Sequence, residues 1–346
     1  MIYQYDTSYR PKSEKFFSEM FQNGTISEGK YQNLLRDKLQ TVTGCKYVFL
    51  TDSGTSALHI ALLSLEVTQK NEVITPSYLC HDVLNSITYT GAKPCFVDIN
   101  SCNYSMNTDL VKKTVSSKTK AIIIPYMYGD IVSLDELHSL GVPIIEDIAH
   151  CTGGKINGKP VGSFGTVGMT SFGDRKYLDG GFGGAVFTNN NTLAKKIQQL
   201  LDTRNISGKY RLSYKYQIPN IIAAIIYEKT SLLNEYSKNR KKIAAYYMEK
   251  LKGKNLKFRY DSTNDSFFYR FIIDLPRNKK TFIKKMATKG IICGVGIDYP
   301  LHKMVGDTQK LPNTDYASEK SVALPIRPNL TVNELELVVK SVCECL

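Results

Sequence analysis

Three short stretches of the chain carry residues that could serve one ligand. Asp147 ends the apolar stretch VPIIED, and Lys176 follows 29 residues later among serines and glycines. Upstream, the junction Ser53-Gly54-Thr55 joins an apolar stretch to a helical one. Free N–H groups at such a helix start can bind phosphate, and Gly54 lets the anion approach the backbone. Ser and Thr are also common helix caps, so this junction is weak evidence by itself.

Two classes of ligand fit a carboxylate at the end of a strand. In open α/β sheets, ligands bind outside the carboxyl ends of the strands. A metal-holding carboxylate of a P-loop nucleotide hydrolase is excluded, because GxxxxGK[ST] does not occur in the chain. Pyridoxal phosphate needs a lysine for covalent attachment, a carboxylate that keeps its pyridine nitrogen protonated, and a phosphate site. Lys176, Asp147 and the Ser53 junction meet these needs, and Ser171 adds a hydroxyl donor five residues before the lysine.

The surrounding sequence predicts the elements that must position these residues. Between residues 47 and 147, continuous apolar stretches alternate with helical ones, which is typical of a mostly parallel sheet covered on both faces. A long helical stretch runs from Pro219 to about Leu251, and a small α+β unit follows. We therefore predict a large domain over residues 1–235 and a small C-terminal domain over residues 236–346.

Composition limits the class of protein and its partners. The 346 residues are 42% apolar and 22% charged, as in ordinary soluble proteins. The net charge of 45 − 32 = +13 favours anionic partners, but no nucleic-acid motif accompanies it. Eight cysteines without a CxxC pair predict neither a metal site nor disulfides, so we expect a cytoplasmic protein. No apolar stretch approaches the roughly 20 residues of a membrane span.

Motifs along nearly the whole chain resemble one family. The chain is similar to the pyridoxal-phosphate sugar aminotransferases of the DegT/StrS type, also called the DegT/DnrJ family. The matching stretches are GTISEG (24–29), SGTSALHIAL (53–62), EVITPSY (72–78), YTGAKPCFVDI (89–99), YGD (128–130), IIEDIAH (144–150), GKPVGSFGTVGMTSFGDRK (158–176), GGAVFT (183–188) and LPIRPNLTVNE (324–334). The resemblance implies a fold-type-I transferase with a large domain around a mostly parallel mixed sheet.

The resemblance also implies a role for each matching residue. Lys176 falls where the family places the lysine that binds the cofactor covalently. Asp147 falls at the partner of the pyridine nitrogen, and His150 lies near the phenolic oxygen. The positions that match the phosphate cup are Ser53, Gly54, Thr55 and Ser171.

The implied activity is amino transfer to a sugar. An amino acid, expected to be L-glutamate, would give its amino group to the keto group of a nucleotide-linked sugar, and pyridoxamine phosphate would be the intermediate form of the cofactor. The positive net charge suits a substrate with a diphosphate. The family's shared active sites imply at least a homodimer.

Several positions depart from the family pattern. Cys80 stands where an aromatic residue usually covers the cofactor ring, and His81 is either a replacement or an ordinary histidine. Lys215 stands in a segment that family members contribute to the neighbouring subunit's cofactor phosphate, and it either binds that phosphate or is simply solvated. Tyr299 and His302 remain candidate contacts to the sugar nucleotide, at a shorter spacing than usual.

Two alternative functions stay open at this point. A dehydratase of the same fold uses the cofactor for sugar dehydration, but it carries histidine at the position of Lys176. A diverged relative that binds a sugar nucleotide without turnover is favoured by Cys80 and by the altered segment 213–220.

Overall fold

The chain folds as an α/β structure in which strands and helices alternate. The computed structural model describes residues 1–4, 14–204, 210–260 and 266–346. Its strands are β1 (Tyr47–Thr51), β2 (Glu72–Pro76), β3 (Lys93–Val97), β4 (Thr119–Pro125), β5 (Ile144–Asp147), β6 (Lys155–Ile156), β7 (Lys159–Pro160), β8 (Val167–Ser171), β9 (Gly184–Thr188), β10 (Lys257–Phe258), β11 (Phe271–Asp274), β12 (Gly294–Val295) and β13 (Ser321–Leu324).

The helices of the same residues separate most of these strands. They are α1 (Glu14–Gln22), α2 (Lys30–Thr43), α3 (Gly54–Ser64), α4 (His81–Tyr89), α5 (Thr108–Thr114), α6 (Asp135–His138), α7 (Asn191–Leu201), α8 (Asn220–Thr230), α9 (Leu233–Lys250), α10 (Lys279–Thr288), α11 (Leu301–Met304), α12 (Pro312–Lys320) and α13 (Val332–Cys345). No helix of the described residues is long and apolar enough to cross a membrane.

A seven-stranded sheet forms the centre of the larger unit. Its order is β1-β9-β8-β5-β4-β2-β3, and β9 runs antiparallel to both of its neighbours while the strands from β8 to β3 are parallel. The central strands are buried almost throughout, because helices cover both faces. This arrangement is the predicted mostly parallel mixed sheet. The parallel order brings the carboxyl ends of β5 and β8 to the same edge, where Asp147 and Ser171 end their strands.

The smaller unit is built on an antiparallel sheet of four strands in the order β10-β11-β13-β12. It has its own apolar core, in which Tyr247, Phe271 and Val342 are fully buried. Helix α13 begins with a capping box, in which the Thr331 hydroxyl accepts the N–H of Glu334 and the Glu334 carboxylate accepts the N–H of Thr331.

The helical stretch before the small unit is divided. Helix α8 ends at Thr230 and α9 begins at Leu233, so the predicted single long helix is two helices with a short break. Ser231 and Leu232 are ordinary helix residues, which is why the sequence does not indicate the break. The domain boundary after residue 235 stays a prediction.

Candidate active site

Lys176 lies in the glycine-rich turn between β8 and β9. Its side chain is half-buried, and its N–H donates to the carbonyl of Gly173 at 3.1 Å. The Nζ atom lies 5.4 Å from the ring centroid of Tyr269. Among the described residues, no carboxylate lies within 4.0 Å of this Nζ. The amine is therefore held in a partly buried place without an ion pair.

Asp147 ends β5 on the same edge of the sheet. One carboxylate oxygen, Oδ1, accepts the N–H of Ala149 at 3.0 Å. Loss of solvent raises the pKa of Asp147, while that hydrogen bond and the charge of Lys176 lower it. The electrostatic effect of Lys176 on this carboxylate means that the structure brings together the two residues that the sequence analysis paired.

Glu146 lies beside Asp147 and has a different environment. It is fully buried, and its two oxygens accept hydrogen bonds from four donors, which are the hydroxyl of Tyr126 and the backbone N–H groups of Gly162, Phe164 and Gly165. Burial raises the pKa of Glu146, and these hydrogen bonds oppose the rise. A Cβ on Gly165 would lie 2.9 Å from a backbone oxygen, so the glycine is needed for this close approach. Glu146 thus fixes the loop that follows β5.

His150 is stacked between two tyrosines at the same edge. Its ring lies parallel to that of Tyr269, with 4.0 Å between centroids, and its Nδ1 accepts the backbone N–H of Tyr128 at 3.2 Å. Loss of solvent lowers the pKa of His150 well below its usual value, and the charges of Lys176 and Arg270 add to this effect. The ring is therefore neutral at pH 7 and carries its proton on Nε2.

Ser53, Gly54, Thr55 and Ser171 meet at the start of α3. Ser53 caps the helix by accepting the N–H of Ser56 at 3.1 Å, and Thr55 follows in its first turn. A Cβ on Gly54 would lie 2.6 Å from the Cβ of Ser171, so the helix start and the end of β8 are in close contact. The four residues predicted for phosphate binding thus come together.

Three residues with left-handed backbone lie around this edge. Tyr128 has φ 57°, Arg175 has φ 73° and Phe268 has φ 46°. They directly precede or contact the residues already described: Arg175 precedes Lys176, Phe268 precedes Tyr269, and Tyr128 bonds His150. Such conformations are costly for residues with a Cβ and often occur at functional sites.

A cavity of about 590 Å³ opens beside Lys176. Residues of the small unit and of α9 line it, including Arg240, Arg270 and Gly294. The guanidinium of Arg240 lies 4.1 Å from the ring centroid of Tyr177. The sequence analysis did not find these residues, because they are distant in the chain and belong to no local motif.

Cys80 and His81 stand at the start of α4 and are exposed. The Cys80 thiol donates to Asp82 at 3.3 Å, and the His81 Nε2 lies 3.5 Å from the same carboxylate. The surrounding protein raises the pKa of the Cys80 thiol although part of the residue is exposed, and the charge of Lys176 opposes this rise. Cys80 is therefore near enough to Lys176 to feel its charge, while a stacking role for His81 stays a prediction.

Lys215 is exposed, as is Gln217 two residues later. The tyrosines on either side of Lys215 pack on His59 of α3, and the N–H of Asp52 donates to the carbonyl of Tyr216 at 2.8 Å. Segment 213–220 therefore lies against the strand-helix junction of its own chain and presents Lys215 outward. Its binding to a neighbouring subunit's cofactor stays a prediction.

Tyr299 and His302 do not line the cavity of Lys176. The buried His302 accepts or donates at Nδ1 to the hydroxyl of Ser77 at 2.6 Å, which joins α11 to the end of β2. Loss of solvent lowers the pKa of His302, and Asp315 opposes this effect. Tyr299 is exposed beside a second cavity of about 570 Å³. Their predicted contacts to a sugar nucleotide stay predictions.

Comparisons with known proteins agree with this geometry. The GDP-perosamine synthase of Vibrio cholerae is 26% identical over 365 aligned positions, covering 100% of this chain and 98% of that protein. The UDP-2-acetamido-2-deoxy-3-oxo-D-glucuronate aminotransferase of Pseudomonas aeruginosa is 28% identical and covers 95% of this chain and 94% of its own. A crystal structure of a DegT DnrJ EryC1 StrS aminotransferase from Brucella abortus has a TM-score of 0.88 at 25% identity, over 94% of this chain and 93% of that one.

The family model of the DegT/DnrJ/EryC1/StrS aminotransferases matches residues 9–343. The match covers nearly the whole chain, as the motifs of the sequence predict. The predicted fold and enzyme class are both confirmed. The chain belongs to the DegT/DnrJ/EryC1/StrS aminotransferase family.

Proposed function

We propose that this chain is a pyridoxal-phosphate-dependent aminotransferase that moves an amino group from an amino acid to the keto group of a nucleotide-linked sugar. The observation that carries the proposal is the convergence of Asp147, His150 and Lys176 beside the Gly54–Ser171 contact. Family members use this cofactor, and two relatives are named for products or substrates that are nucleotide-linked sugars.

The residues at this edge fit the cofactor's chemistry. The Lys176 amine has no carboxylate partner among the described residues, so it is available for covalent attachment. Among the described residues, Asp147 accepts a hydrogen bond on Oδ1 only, which leaves Oδ2 for a protonated ring nitrogen. Gly54 and Ser171 lie in close contact, so the backbone N–H groups at the start of α3 and the Ser171 hydroxyl are near one another. A helix start with such donors is suited to bind a phosphate.

Lys176 has two tasks in the proposed reaction. When bound, pyridoxal phosphate supplies a carbon that takes up the amino group and a ring that withdraws electrons. With the cofactor bound and the lysine freed, the Lys176 amine would take a proton from the α-carbon of the donor and deliver it to the cofactor, acting first as general base and then as general acid. The half-buried position of Lys176 limits competition from water.

Asp147 and His150 would hold the cofactor ring, Asp147 at its nitrogen and His150 at its phenolic oxygen. A carboxylate at the ring nitrogen keeps that nitrogen protonated, which strengthens electron withdrawal. The neutral His150 has its Nε2–H available as a donor, because Nδ1 accepts the N–H of Tyr128. That donor suits the phenolic oxygen of the cofactor.

Assembly and location are part of the proposal. We propose a cytoplasmic homodimer in which Lys215 reaches the cofactor phosphate of the partner and Tyr299 and His302 contribute to its sugar-nucleotide site. The outward direction of Lys215 supports this arrangement. The net charge of +13 suits the diphosphate of the substrate.

The visible absorption spectrum of the purified protein tests the proposal. Added pyridoxal phosphate should produce the band of a lysine-bound cofactor, and L-glutamate alone should bleach it. Lys176→Ala should lose the band and at least about 10³-fold in amino-transfer rate. The exposed Lys113→Ala, on the surface of α5, serves as the matched control and should behave as wild type.

The same spectra separate the alternatives. A band that no amino acid bleaches would reject amino transfer and favour the binding protein without turnover. A bleached band with release of water from the sugar, and no amino sugar formed, would favour the dehydratase. Lys176 itself argues against the dehydratase.

A further inference from the structure

Two buried hydrogen-bond donors without a partner among the described residues belong to side chains that line the cavity beside Lys176. They are the Nε of Arg240 and the Nε2 of Gln4. Arg240 is 6% exposed and Gln4 is also 6% exposed. Buried polar groups are nearly always hydrogen-bonded, so two orphan donors on one cavity wall indicate a ligand that carries acceptors.

Arg240 is the stronger of the two observations, because it carries a charge. Its Nη1 donates to the carbonyl of Tyr269 at 2.9 Å, and its guanidinium stacks on Tyr177. No carboxylate of the described residues lies within 4.0 Å of it. Burial of a cation is costly unless an anion accompanies it, so the protein alone leaves this guanidinium without its natural partner.

The position of Arg240 relates it to the reaction. The carbonyl that it binds belongs to Tyr269, and the ring of the same Tyr269 lies 5.4 Å from the Nζ of Lys176. Arg240 and Lys176 therefore line the same cavity, and Tyr269 lies beside each of them.

The charges of the cavity favour an anion. Five cationic side chains line it against two acidic ones, which gives 5 − 2 = +3; the cations are Arg175, Lys176, Lys229, Arg240 and Arg270, and the acids are Asp174 and Asp179. The acids are already engaged, since Asp174 pairs with Arg175 at 3.0 Å and Asp179 lies 4.0 Å from Lys229. Of these five cations, Arg240 alone is buried, so it is the buried cation that an incoming anion would meet.

We propose that Arg240 and Gln4 form a carboxylate subsite that holds the amino donor during the first half of the reaction. The planar guanidinium matches a carboxylate, and the amide of Gln4, which lines the same cavity, adds a second donor. The diphosphate of the sugar nucleotide is the other source of anionic oxygens, and the experiment distinguishes the two. This inference rests on the proposed function.

Three variants and two readouts test the subsite. Arg240→Gln and Gln4→Met remove the two donors, and Arg277→Gln makes the same change at an exposed arginine outside the cavity. Calorimetry on the cofactor-loaded protein measures binding of glutarate, a dicarboxylate without an amine. Rapid-mixing absorbance measures how the bleaching rate depends on L-glutamate concentration.

We expect Arg240→Gln to weaken both glutarate and L-glutamate about 10- to 100-fold, as the loss of a charged hydrogen bond predicts. Gln4→Met should weaken both about 2- to 10-fold, and Arg277→Gln should not change either. The KM for the keto sugar, measured with pre-aminated enzyme, should stay within about twofold in all three variants. Arg240→Lys serves if Arg240→Gln does not fold, and it should retain part of the affinity.

Opposite results would overturn the subsite. Unchanged glutarate binding in both donor variants rejects it, and a rise in the keto-sugar KM alone would assign the anion to the diphosphate. Failure of the proposed function looks different, because wild-type protein would then not be bleached by any amino acid. In that case, comparing glutarate binding by wild type and by the variants still tests whether Arg240 and Gln4 bind a carboxylate.

Discussion

Two arginines of this protein are almost equally buried but differ in their surroundings. Arg259 is 2% exposed, and its Nε donates to Asp274 at 2.6 Å. The second oxygen of Asp274 accepts the hydroxyls of Tyr104 at 2.9 Å and Ser321 at 3.0 Å. Arg240 has a carbonyl and an aromatic ring, but no carboxylate among the described residues.

The difference separates a structural charge from a functional one. The Arg259–Asp274 cluster satisfies itself and joins Tyr104 of the large unit to the small sheet, so it needs no ligand. The Arg240 cluster keeps a net positive charge beside Lys176 and becomes complete only with an anion. In a buried region, the presence or absence of an internal counter-ion thus indicates which role an arginine has.

The largest expected effect is a difference in the free energy of unfolding between variants of these two arginines. Arg259→Met leaves Asp274 buried without its cation, and we expect it to lower the free energy of unfolding by about 3–5 kcal/mol. Arg240→Met removes a charge that has no carboxylate partner, and we expect a loss of no more than about 1 kcal/mol. Urea unfolding followed by circular dichroism measures both. Equal losses in the two variants would contradict the distinction.

The next prediction tests how tightly the phosphate cup is packed. Gly54→Ala places a Cβ where Ser171 already lies, at 2.6 Å, and we expect the affinity for pyridoxal phosphate to fall by about 1–3 kcal/mol. Gly173→Ala would meet only the Ser171 hydroxyl, at 3.4 Å, and should cost less. Titration of the visible band gives both affinities. Equal losses in the two glycine variants would contradict the tight packing of Gly54 against Ser171.

A smaller effect concerns pH and the neutral His150. The pKa of His150 is lowered in the folded protein, so below pH 6.5, near the pKa of an unfolded histidine, the unfolded chain binds more protons than the folded one. The free energy of unfolding therefore decreases as the pH falls. At a pH of about 5.5 this contribution reaches up to about 1.4 kcal/mol. His150→Gln should therefore lose less stability than wild type between pH 7.5 and 5.5, by urea unfolding at each pH. Parallel losses would mean that His150 is not held neutral.

The smallest expected effect is that of Lys215→Ala. If Lys215 completes the cofactor site of a partner subunit, its loss should weaken pyridoxal phosphate about 3- to 10-fold and leave the dimer intact, because an exposed phosphate contact is worth little more than 1 kcal/mol. Sedimentation and titration of the visible band measure assembly and affinity. Unchanged affinity would assign Lys215 to the solvated surface, with Lys113→Ala as control.

Much of the fold and part of the site are predictable from the sequence. Buried parallel strands appear as continuous apolar stretches, so the alternation up to Asp147 was readable, and strand ends on one edge place Asp147 near Lys176. Arg240 and Gln4 were not predictable, because their importance depends on distant packing against Tyr269 and Gly294. The break after α8 was missed since nothing in its residues stops a helix.

Strand β5 carries two adjacent carboxylates, one with a structural role and one at the candidate active site. Glu146 and Asp147 are adjacent, and successive side chains of a strand point to opposite faces. One carboxylate therefore fixes the loop 162–165 and the next faces the lysine. A slip of one residue in this strand would exchange the two carboxylates and damage both places at once. An insertion or deletion within residues 144–147 would therefore disturb the loop and the site together, whereas a substitution of one carboxylate would disturb only one of them.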